Sequence, residues 1–343
     1  MRVTTNQVYN MGFNAIQSHS NKLLAVQEQL STGNRVNRPS DDPVAMSQIH
    51  TLNRAINTLD QYAKNGEYAK SQLVLEETAV TDTIEIMQRI RELGIQMSND
   101  TYSPAQRRVA AAEVEQMMLH VKGTMNMKNS EGEYMFAGNN VKDTPFVDDP
   151  ANPGYLIYIG NPNTPAADYK ENATFGGRFV QIGFDHTDKL EPNDEFNMSR
   201  VRITDTGSKV FGFAPNPATS LGPQTNPPAA GEIDPNIYNA MRVMYDRMMA
   251  GDKPGDDVLD DLKNSITNMS EVVAGIGGRQ IRIETQYTAG EAFKMPLMER
   301  KSNIEELDIV KGISKFTVTQ NALQMAQQVF GKVQEMSLFN YMR

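Results

Sequence analysis

The chain has no cysteine and no tryptophan among its 343 residues, and only four histidines. Without cysteine there is no disulfide, thiolate metal site or cysteine nucleophile, so the fold must stand on packing alone. His19, His50, His120 and His186 fall in four separate segments with no HExxH or zinc-ribbon spacing, so they read as structural or exposed residues. No stretch approaches the roughly 18 consecutive apolar residues of a membrane-spanning helix. The opening MRVTTNQVYNMGFNAIQ has neither an apolar core nor a small-residue cleavage site, so no secretory signal peptide is expected there. Basic charge is also short: the formal net charge is -9, which argues against replacing phosphate counterions on nucleic acid. Neither a membrane nor a nucleic acid is expected as a partner.

Catalytic signatures are missing too. AGIGGR (274–279) is glycine-rich but lacks the Lys-Ser/Thr of a phosphate loop, and it reads as a helix break or a close-packing point. FDHTDKLEPNDEF (184–196) lacks the alternation and the glycine of an EF-hand, and GDKPGDDVLDD (251–261) reads as a turn with acids at a helix N-terminus. Asp41 and Asp42 are adjacent and precede Pro43, which suits a helix cap better than a glycosidase pair on opposite sides of a substrate. No enzyme, cofactor or metal is expected.

What the sequence does have is methionine, 21 residues of it, and long heptad patterns. Tyr9, Ile16, Leu23 and Leu30 step by seven, with Gly12, His19 and Val26 three residues behind the first three, which predicts a helix ending near Gly33. Leu52, Leu59, Gly66, Leu73, Val80 and Met87 continue the step and predict a helix of some 50 residues. Ser103 and Pro104 then mark the start of another helix, through Val114, Met118, Val121 and Met125.

Between 141 and 237 the character changes. This window holds 12 of the 17 prolines and 13 acids against seven Lys and Arg, with short apolar runs at YLIYI (155–159), RFVQIGF (178–184) and SRVRIT (199–204). It reads as a small β-domain with a long irregular return over 214–236. Helical pattern resumes at 237–249 and 258–273, and a further helix is expected from about Arg279 to the C-terminus, disturbed at Pro296. There Ile309, Phe316, Leu323 and Phe330 step by seven, followed at three residues by Gly312, Thr319, Ala326 and Val333. The two terminal seams match in period, so the chain is expected to run out along helices, through the β-domain and back, with its end helices side by side.

The expected fold is therefore mainly α with an inserted β-domain, built of long antiparallel helices and coiled-coil terminal arms. Its expected divisions are 1–38 and 301–343 for the two halves of the arm, 39–140 and 237–300 for a helical layer, and 141–236 for the β-domain. An arm of two such helices buries little alone, so it should be covered by equivalent helices of other chains. The expected assembly seam is Ile16, Leu23, Val26, Leu30, Ile309, Phe316, Leu323, Phe330 and Val333.

LSTGNRVNRPSDDPVA (30–45) resembles the stretch after the first helix of the bacterial flagellin family, L-S-[ST]-G-x-R-[IV]-N followed by D-D-P or D-D-A. GEYMFAGN (132–139) with TPF (144–146), VVAGIGGRQIRIE (272–284) and the C-terminal heptads agree with it. The resemblance covers roughly 1–147 and 237–343. Within the family, the opening MRVTTNQVYNMGFNAI and the ending SLFNYMR are nearer to the proteins that join hook to filament than to filament subunits.

The resemblance implies an out-and-back flagellin-like topology and a mechanical, architectural role outside the cell. It implies export through the flagellar type III channel, terminal arms in an inner tube, and the β-domain on the outer surface. Implied partners are further copies of the chain, the first hook-associated junction protein, flagellin, and an export chaperone at the C-terminal helix. Arg35, Asn37, Arg38, Asp41 and Asp42 would form an inter-subunit joint that sets register. Two other readings stay open: a filament-forming flagellin, and an enzyme or adhesin whose active part is the β-domain.

Overall fold

The computed structural model describes residues 5–159, 178–184, 199–213, 219–222 and 231–341. The chain forms two compact units, Asp60–Gly290 and a second one combining Met1–Leu59 with Glu291–Arg343. Long helices dominate, and a small β region is inserted among them, so the fold is mainly α with an inserted β part.

Each helix begins and ends for a local chemical reason. Helix α1 (Thr5–Thr32) closes at Gly33, whose φ of +75° belongs to the left-handed region and whose N–H donates to the Gln29 carbonyl at 2.9 Å. Helix α2 (Pro43–Met97) starts with the fixed φ of a proline behind Asp42, whose Oδ1 accepts the Ala45 N–H at 3.0 Å. Its 55 residues make a rod about 80 Å long. Helix α3 (Pro104–Met125) opens with a complete capping box: Ser103 accepts from the Gln106 N–H, and the Gln106 side chain accepts the Ser103 N–H.

In the Asp60–Gly290 unit, Leu73, Val80, Met87 and Ile90 of α2 meet Val114, Met118 and Val121 of α3 in one buried core. Strand β1 (Phe146–Asp148) pairs antiparallel with β2 (Leu156–Tyr158), and β3 (Phe179–Gln181) with β4 (Arg200–Arg202), as two separate two-stranded sheets. Helix α4 (Gly207–Phe211) places Phe211 edge-on to Phe136, with ring centroids 4.7 Å apart, and both rings are fully buried. Helix α5 (Ile237–Ala250) starts at Asn236, whose amide, with that of Asn239, donates to the Leu156 carbonyl at 3.0 and 2.8 Å. These two asparagines fasten β2 to the helix. The short strands expected at 155–159, 178–184 and 199–204 correspond to β2, β3 and β4, whereas most of 214–236 and residues 185–196 lie outside the described residues.

The return differs from expectation in where it breaks. Helix α6 (Asp256–Glu305) runs without interruption through Gly275, Gly277, Gly278 and Pro296, so AGIGGR is no helix break. Nor is it a close-packing point among the described residues, since a Cβ at any of those three glycines would meet none of them within 4 Å. Glycine costs a helix interior roughly 1 kcal/mol per residue. The buried Val272, Ile276 and Ile283 on the opposite face offset that cost. The real break lies at 306–308, before helix α7 (Ile309–Tyr341), where Asp308 Oδ1 accepts the Lys311 N–H at 3.1 Å and begins a new helix.

Candidate assembly interface

The arm unit is built on α1 and α7, packed antiparallel. Tyr9 and Phe330 bring their rings to 5.2 Å, and Leu30 lies at the other end against Gly312. Large residues face glycines across this seam. A Cβ at Gly12 would sit 2.6 Å from the Phe330 ring, and one at Gly312 would sit 2.9 Å from Leu30 Cδ2, so a side chain at either position would have to push its neighbour aside.

Of the expected seam residues, Val26 is buried at 3 % exposure, and Ile16, Leu23, Leu30, Phe316, Leu323, Phe330 and Val333 are half-buried. Ile309 stands apart, 61 % exposed at the start of α7. The seam therefore uses only one face of each helix. On the faces it leaves uncovered, Met11, Phe13 and Leu24 of α1 and Val318, Met325 and Val329 of α7 are all more than half exposed. Val318, Ala322, Met325 and Val329 follow a four-three-four spacing, the signature of a second apolar stripe on α7. Contiguous exposed apolar side chains are a common mark of contact with other molecules, which makes this stripe the candidate surface. Heptad counting alone missed it, because the stripe is shorter than the main seam and out of step with it.

The joint between α1 and α2 is organised by its charges. Arg35 reaches Asp42 Oδ2 at 3.2 Å and donates to the Ile304 carbonyl at 3.0 Å. Asp41 Oδ2 accepts the backbone N–H groups of Asn37 and Arg38 at 3.1 and 2.9 Å, which folds the turn back on itself. Arg38 forks onto both Glu28 oxygens at 3.0 Å. The backbone N–H of Ala45, with Arg35 adding to it, holds the Asp42 carboxyl below its ordinary pKa. Arg35, Asn37, Arg38, Asp41 and Asp42 are thus brought together, and each already has a partner inside the chain. Beneath them Val36 is buried with Ala45 and Ile49 against Ile304, a cluster whose only sequence signal is one aliphatic residue between Gly33 and Pro43.

The joint also ties the two ends of the chain together. Arg35 N–H donates to the Glu305 carbonyl at 2.7 Å and Leu307 N–H to the Gly33 carbonyl at 2.8 Å, a single antiparallel rung between Asn34 and Glu306.

Residues 3–141 match the bacterial flagellin N-terminal helical region, and residues 259–342 the bacterial flagellin C-terminal helical region. The flagellar hook-associated protein 3 of Escherichia coli (strain K12) is 26 % identical over 340 residues, 99 % of either chain. That of Salmonella typhimurium (strain LT2) is also 26 % identical, over the full length of both. Among solved structures, the flagellar hook-associated protein 3 of Legionella pneumophila superposes with a TM-score of 0.55 at 17 % identity, covering 75 % of this chain and 98 % of its own.

Proposed function

Because the chain belongs to the bacterial flagellin family, we propose that it is a structural part of the flagellum that joins hook to filament. The observation that carries this is the full-length likeness to hook-associated protein 3. It runs across residues 142–258, which the two flagellin helical regions leave unmatched. The work is mechanical, with no catalysis. On this reading the arm, 1–38 and 301–343, belongs to an inner tube through contacts between its uncovered faces and those of neighbouring copies. Residues 39–140 and 237–300 form the surrounding layer, and 141–236 face outward.

The chain is exported unfolded by the flagellar type III route and sits between the first junction protein and flagellin. An export chaperone covers the C-terminal helix before assembly, shielding Val318, Met325 and Val329. The exposed parts of Arg35 and Arg38, beyond their internal partners, help set register with adjacent subunits. A strain lacking the gene tests the reading. A junction part leaves intact hooks and flagellin spilled into the medium; loss of a filament subunit leaves hooks that still carry their junction proteins, and that outcome would overturn it.

A further inference from the structure

Methionine is the chain's sole sulfur residue, and among the described residues it is unevenly placed. In the Asp60–Gly290 unit Met87, Met118, Met125, Met241, Met244 and Met269 are at most 4 % exposed. In the arm unit no described methionine is buried, and Met11, Met295 and Met325 are 66, 67 and 66 % exposed. Met325 stands between Val318 and Val329 on the apolar stripe that α1 leaves uncovered.

We propose that Met11 and Met325 are sites of sulfoxidation by hydrogen peroxide, and that oxidation of the unassembled chain blocks its incorporation. The inference rests on the reading above, in which neighbouring copies cover these faces. In the step itself, a lone pair on the methionine Sδ attacks one peroxide oxygen and forms the S–O bond while the O–O bond breaks. The sulfur is oxidised by two electrons and the two peroxide oxygens are reduced by one each; the departing oxygen keeps the O–O bonding pair and leaves as water after taking up the proton of the transferred oxygen. With no thiol present, no faster-reacting sulfur competes for the oxidant. The product replaces a flexible apolar side chain by a strongly polar S=O group that an apolar contact cannot satisfy. Once the arm is covered the same sulfurs are shielded, so this selective sensitivity is confined to chains that have left the chaperone and folded but are not yet assembled.

The test uses the full-length protein and two readouts. After brief peroxide treatment, peptide mapping should find sulfoxide at Met11 and Met325 at least about tenfold faster than at Met87 or Met244. Equal rates would overturn the site assignment. Treated and untreated chains are then added to flagella arrested at the hook, followed by flagellin, and regrown filaments are counted. Oxidised wild type should restore about tenfold fewer filaments than untreated protein, and an oxidised M11L/M325L variant should lose little, since Leu and Met exchange at small cost. If oxidised and untreated wild type perform alike, or the variant loses as much as wild type, the proposal fails alone. If untreated protein restores nothing, the junction reading falls, and the assembly part of the proposal falls with it.

Discussion

Glu76 shows how much one buried carboxyl can demand of its surroundings. It is 2 % exposed on α2, one oxygen accepts the Asp205 N–H at 3.0 Å, and the other has no hydrogen-bond partner among the described residues. Burial, reinforced by the negative charge of Asp205, pushes its pKa up to about 8. Asp205 is buried as well, which alone would raise it, yet Arg279, Arg202 and Lys209 gather on it and keep it below its ordinary value. One carboxyl is thus neutral and the other ionised at neutral pH.

The sign follows from the raised value. The unfolded chain gives up the Glu76 proton near pH 4.5 and the folded chain only near 8, so the contribution is fully present below the lower value. It is lost as pH rises through the folded value, with a slope of at most about 1.4 kcal/mol per pH unit. Glu76→Gln keeps the acceptor and removes the proton. Denaturant titrations between pH 5 and 8 should show that slope in wild type and its absence in the variant. Parallel curves would mean that Glu76 is ionised in the folded chain.

At the scale of elements, the α1–α7 seam depends on a few contacts with little reserve. Phe330 fills the space over Gly12 and beside Tyr9. Phe330→Asp sets a carboxylate there and removes the ring, at a cost of about 2–4 kcal/mol to the arm. The substitution should abolish assembly while the near-ultraviolet spectrum and melting of the Asp60–Gly290 unit stay as in wild type. Normal assembly of the variant would show that this seam is not needed.

The long helix α2 is readable in the sequence because a seven-residue repeat survives in its apolar positions: Leu52, Leu59, Leu73, Val80 and Met87 are all buried, as their spacing demands. The helix boundary in the return is not readable in the same way. Three glycines and a proline look like stops, yet Val272, Ile276 and Ile283, buried on the far face, hold the helix through the glycines, and it continues through Pro296 with no buried residue beside it. The break at 306–308 depends on Asp308 as a cap and on a backbone rung to a residue some 270 positions away, which local pattern cannot encode. The Glu76–Asp205–Arg279 cluster is hidden for the same reason, since its members are brought together by tertiary folding.

For the whole molecule, the contrast between its two units predicts unequal stability. One has an extensive core in which Val80, Met87, Met125, Met241 and Leu262 are fully buried; the other has a narrow seam with apolar surface on its outer faces. Unfolding should therefore proceed in two steps, the arm first. Hydrogen exchange should find the amides of Thr5–Thr32 and Ile309–Tyr341 opening well before those of Ile237–Ala250. A single transition with uniform protection would contradict the division.

The rung at Asn34 and Glu306 has a consequence for load. Tension drawn along α7 arrives at Leu307 and passes across to Gly33, and tension drawn along α1 passes from Arg35 to Glu305. The two strands of the arm share a pull at their common root before it can travel along the rest of the chain. Residues 141–236 are thereby left out of the shortest force path between the two ends, so that stretch is free to change in length and sequence without weakening the coupling.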